Sequence, residues 1–157
     1  MNTSLEAAFR GAAHGAVATA EMSAVMLIGQ RLGWMDDHPP ETLTKEALRR
    51  ADALEERSKA TVASLAVANH FAFGAAGGAL FALLRRHRAP SAPRLPMGIA
   101  LGLGVWATSY RGWIPALDML PPGQRRGRAG SAVMIPAHAV YGATLGASAE
   151  RSAESLR

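Results

Sequence analysis

The chain alternates between long stretches with almost no charge and short stretches crowded with it. Residues 60–84 and 129–149 contain no Asp, Glu, Lys or Arg, residues 11–29 contain only Glu21, and residues 95–117 only Arg111. An α-helix needs roughly 20 residues to cross about 30 Å of hydrocarbon, and each stretch is of that order. A water-facing helix carries a polar face, and the two uncharged stretches have none. The pattern predicts an all-α integral membrane bundle of four transmembrane helices, with spans about 11–30, 60–84, 95–117 and 129–149 in a single domain over residues 1–157. A soluble alanine-rich bundle is the alternative, and the missing polar faces argue against it.

The polar linker between the first two spans has a pattern of its own. Pro39 and Pro40 suit a helix start. Leu43, Ala47, Ala51 and Leu54 fall at i, i+4, i+8 and i+11, with Lys45, Arg49, Arg50, Glu55 and Glu56 elsewhere. This predicts an extra amphipathic helix over about 39–58, lying on the membrane surface or capping the bundle. A solvated connector with a weak apolar stripe fits the same letters.

Composition changes this picture little. The mean hydropathy of +0.06 averages the spans with the linker. The net charge of +5 is spread over arginines at span ends rather than gathered on one face, so anionic lipid headgroups are the expected partner and nucleic acid is not. With no cysteine, disulfides and thiolate metal sites are excluded. Met1 to Arg10 shows no small-residue cleavage site after a basic region, so the first span is expected to be retained. Four arginines between residues 85 and 94 make that short loop a cytoplasmic anchor, which places both termini inside. The run Arg125, Arg126 and Arg128 pulls the other way.

A short motif occurs twice inside the uncharged stretches: His70-Phe71-Ala72-Phe73-Gly74-Ala75 and His138-Ala139-Val140-Tyr141-Gly142-Ala143. A histidine, an aromatic ring three residues on and a glycine four residues on share one helical face. Ala18-Thr19-Ala20-Glu21 also matches Ala107-Thr108-Ser109-Tyr110, at an offset of 89 against 68 for the histidines. A helical hairpin duplicated in parallel orientation, with the linker helix inserted in the first copy, accounts for both offsets. Small-xxx-small pairs at Gly11 and Gly15, Gly74 and Gly78, and Gly142 and Gly146 predict close helix packing, as does Gly102-Leu103-Gly104.

The order of a Gly/Ala-rich first span, a linker opening Pro39-Pro40-Glu41-Thr42-Leu43-Thr44, a span with His70-x-x-x-Gly74 and a last span with His138-x-x-Tyr141-Gly142-x-x-x-Gly146 resembles the small bacterial inner-membrane proteins of the YagU type. The resemblance covers most of the chain. It implies a four-span protein of the bacterial inner membrane and brings neither a molecular activity nor a catalytic residue.

Three readings of the polar residues follow. Intramembrane ionisable groups are costly and suggest function. His14 and Glu21 lie two turns apart on the first span, and with His70, His138 and Tyr141 they would converge on the interior as a relay for protons or ions. His70 and His138 would alternatively ligate a haem iron, or His14, Glu21 and a further histidine a divalent metal; the sequence names no cofactor. In the third reading the histidines only hydrogen-bond across helices, Glu21 pairs with Arg111 or a hydroxyl, and the protein is a structural or interaction module, as a homo-oligomer or within a larger membrane complex. Enzymatic chemistry has little support. Ser64, Ser109 and Ser131 lack a nucleophile-elbow context, and no His-Glu-x-x-His or phosphate-cradling loop occurs.

Overall fold

The computed structural model describes residues 3–35, 39–88, 90–119 and 128–154, with side chains of the last helix described from 132 to 149. Among them the regular secondary structure is all helical: α1 (Thr3–Arg31), α2 (Pro39–Arg50), α3 (Lys59–His87), α4 (Arg94–Thr108), a π-helical turn (Ser109–Trp113), the one-turn α5 (Ile114–Ala116) and α6 (Arg128–Glu154). Helices α1 and α3 are long and apolar enough to cross a membrane. Helix α6 covers the predicted fourth span, but Pro136, His138 and Tyr141 dilute its apolar character. The predicted triplet of arginines near 126 lies outside the described residues except for Arg128.

Local chemistry sets the ends. Helix α1 stops in a Schellman motif, in which Trp34 N–H donates to the Gly29 carbonyl and Gly33 N–H to that of Gln30, with Gly33 at φ +70°. Helix α2 stops the same way, through Ala53 to Leu48 and Asp52 to Arg49, with Asp52 at φ +52°. The linker helix is therefore shorter than its apolar stripe: Leu43 and Ala47 are on it, while Ala51 and Leu54 follow its last residue, Arg50. Ser58 then opens α3, accepting from Thr61 N–H at 3.1 Å.

The predicted third span is not one continuous α-helix. Pro115 has no N–H for the carbonyl four residues back and its ring crowds that carbonyl, while Gly112 adopts φ −110°, ψ −105°. The backbone answers with the π-helical turn Ser109–Trp113, which contains Gly112 and ends two residues before Pro115.

Two antiparallel hairpins, α1 with α3 and α4 with α6, are packed through glycine. A Cβ on Gly11 or Gly15 would run into the carbonyls of Gly78 and Gly74, and one on Gly98 or Gly102 into those of Gly142 and His138. The facing pairs Gly15–Gly74 and Gly98–Gly142 relate α1 to α4 at an offset of 83 and α3 to α6 at 68. The first number differs from the 89 of the Ala-Thr match, so the glycine contacts and those letters do not share one register. The hairpins meet through α1 and α6, so the helices lie in the order α3, α1, α6, α4. Buried Met22, Met26, Phe81, Met134, Ala137 and Leu145 form the core along this central contact.

Candidate functional site

A cavity of about 300 Å3 lies where the two hairpins part. Every long helix contributes to its wall: Met22 and Met26 from α1, Phe73 from α3, Val105 from α4, and Met134 from α6. Helix α2 covers it with Pro40, Leu43 and Ala47. The π-helical turn adds Ser109, Tyr110 and Trp113. Methionines suit such a wall, since an unbranched thioether adapts to irregular shapes.

Polar groups are few. His138, 6 % exposed, is bonded through Nδ1 to the Met134 carbonyl at 2.8 Å. A ring nitrogen facing a carbonyl carries the proton, so Nε2 is an acceptor. The Tyr110 ring stands edge-on to His138, with centroids 6.5 Å apart. Trp113 Nε1 donates to Ser109 Oγ at 3.3 Å. The Tyr141 hydroxyl donates to the Gly74 carbonyl at 2.6 Å, a bond from α6 across to the other hairpin. Thr19 Oγ donates to the Gly15 carbonyl at 2.7 Å. His70 lines the same cavity with Nε2 buried and its ring edge-on to Phe71.

The structure thus brings His70, His138 and Tyr141 together, and separates His14 and Glu21 from them. His14 lines a second, smaller pocket farther along α1 with Arg10, Phe81 and Arg85. Glu21 is on the exposed face of α1, where its carboxylate accepts from the Thr144 hydroxyl. Of the two partners expected for Glu21 the hydroxyl is the one found, while the Arg111 guanidinium lies 5.6 Å from the centre of the Trp106 ring. Among the described residues no three His, Asp or Glu side chains gather as a metal site would require. Gly74, Gly78, Gly142 and Gly146 serve helix packing. The repeated aromatic has diverged: Tyr141 is buried, whereas Phe73 is 56 % exposed.

Ser109, Tyr110, Ile114 and the methionines Met22, Met26, Met119 and Met134 line the cavity without any sequence motif that marks them. Gly112 followed by Pro115 was the available signal, since a helix broken there turns new side chains inward. Trp113, within the predicted third span, also lines the cavity.

Fold and site together define an all-helical protein, with two helices long and apolar enough to cross a membrane and a mostly apolar cavity among its helices. The chain belongs to the family of unknown function DUF6789, which it matches over residues 5–156. No curated protein and no solved structure matches it.

Proposed function

We propose that this chain is a multi-pass membrane protein that holds a small, mostly apolar molecule with one hydrogen-bonding end between its helices. The observation that carries the reading is the cavity itself. It is lined by all four long helices and a π-helical turn, and covered by a separate amphipathic helix. Its size falls at the lower end of the range for small-molecule sites, and an apolar wall with a few placed polar groups is what such sites have in common. Bends of the π type recur at functional positions. His138 Nε2 would accept a hydrogen bond from the polar end of the guest, with the Tyr110 ring beside it.

In this reading α1, α3, α6 and the broken α4 segment all cross the bilayer, and the arginine-rich end of α3 faces the cytoplasm. The spanning role of α4 and α6 rests on their length and on the glycine packing they share with α1 and α3. A proton or ion relay is the second reading, favoured by the presence of both repeated histidines on one cavity.

Photolabelling tests the proposal. A diazirine-bearing long-chain alcohol, reacted with the protein in nanodiscs, is expected to label the buried Met26 or Met134. Ala47→Trp, which fills the cavity from α2 without touching the core, should abolish that labelling at unchanged thermal stability. Equal labelling of Ala47→Trp and wild type would refute the cavity reading. The relay is separated by His138→Gln and His70→Gln: proton flux in proteoliposomes that survives both exchanges removes it.

A further inference from the structure

A second pocket, of about 170 Å3, lies where α1, α3 and the C-terminal part of α6 meet, beyond the glycine contact from the first cavity. Its floor is apolar, with Phe81 3 % and Leu145 1 % exposed and with Ala82 and Ala149 beside them. Its rim carries Arg10, His14 and Arg85. We propose that this pocket binds an anionic phospholipid, with the phosphate on the Arg10, His14 and Arg85 rim and an acyl chain over Phe81 and Leu145. The proposal rests on the membrane reading above and is independent of what the first cavity holds.

Charge complementarity supports that occupant. In sequence, the segments belonging to this end, 3–14, 78–98 and 145–157, hold seven arginines and three glutamates, whereas 31–59 and 118–128, which belong to the other end, hold nine basic and eight acidic residues. The first end carries the larger net positive charge and attracts phosphate more strongly. Arg85 is held in place, since its guanidinium donates to the carbonyls of Ala92 at 3.0 Å and Pro90 at 3.3 Å. Arg10 shares its charge with Glu6 at 2.8 Å but stays mostly exposed. Exposed Leu5, Phe9 and Leu80 surround this region. Such an apolar surround belongs at the hydrocarbon boundary, where a basic pocket between helices meets headgroups. A free phosphate ion would satisfy the arginines and gain nothing from the apolar floor.

The test is native mass spectrometry of the detergent-purified protein titrated with phosphatidylglycerol or with phosphatidylcholine of the same chain length. A preference of about tenfold for the anionic lipid is expected, reduced several-fold by Arg10→Gln and by Arg85→Gln. Arg85→Lys, which keeps the charge while loosening the loop, should retain most of it, so a folding defect in Arg85→Gln does not decide the matter. Arg88→Gln, exposed and outside the pocket, should change nothing. Equal binding of the two lipids, or an Arg88→Gln effect as large as that of Arg10→Gln, overturns the site. Displacement of the lipid by millimolar inorganic phosphate assigns the rim to a soluble phosphate and overturns the lipid as its occupant. Failure of the membrane reading looks different, because the protein would then leave the membrane fraction in high salt without detergent.

Discussion

Gly102 and Gly104 stand two residues apart on α4 and meet opposite surroundings. A Cβ at Gly102 would enter the His138 carbonyl and the Gly142 backbone, while one at Gly104 meets nothing within 4 Å. Gly102→Ala is expected to lower stability by about 1–3 kcal/mol or more, because the neighbours in the way are backbone and cannot rotate aside. Gly104→Ala should raise it by up to about 1 kcal/mol through helix propensity. Thermal unfolding of both variants in detergent checks the contrast, and equal shifts would contradict the packing described. Tyr141 offers a second residue-scale test. Tyr141→Phe removes the bond to the Gly74 carbonyl, and about 0.5–1.5 kcal/mol of stability should go with it. Gly77 opposite must stay small, since a Cβ there would sit 2.5 Å from the Tyr141 hydroxyl. The Gly-x-x-x-Gly spacing was legible in the sequence because its requirement is local. The Tyr141 bond was not, since it joins residues 67 positions apart.

At the scale of elements, α2 is held by charge on its outer side. Glu46 accepts from Arg49 at 2.8 and 2.9 Å and from Arg50 at 2.7 Å, and these bonds bring its carboxyl down to about 2. Arg50 also donates to the Asp118 carbonyl at 2.9 Å, tying the end of α2 to the segment after α5. A carboxylate with a lowered pKa contributes stability that is complete above its ordinary range near 4.5 and is lost as the pH falls toward 2. Acidification from pH 5 to 2 should therefore loosen α2, seen as lower amide protection factors over residues 43–48 once the intrinsic pH dependence of exchange is divided out, and Glu46→Gln should flatten that dependence. The apolar stripe of this helix was readable from its periodicity. Its end was not, because the Asp52 cap depends on a left-handed conformation that aspartate adopts without announcing it. The same holds for the broken third span, where a run of apolar letters conceals the joint effect of Gly112 and Pro115.

For the whole molecule the topology is directly testable, because the chain has no cysteine of its own. Arg57→Cys and Arg88→Cys place single thiols at opposite ends of α3. An impermeant maleimide added to intact cells should label the first and not the second, and the converse would invert the orientation. The long uncharged stretches, the repeated histidine motif and the glycine spacings were all available from the sequence, since hydrophobic length and small-residue packing act on neighbours along the chain. Tertiary structure alone decided the rest. The helix order α3, α1, α6, α4, the parting of the hairpins, the grouping of His70 with His138 and Tyr141, and the removal of His14 and Glu21 to other surfaces all depend on how two rigid hairpins dock. That docking is settled by side-chain shape across the α1–α6 contact, to which residues distant in sequence contribute and which no local pattern encodes.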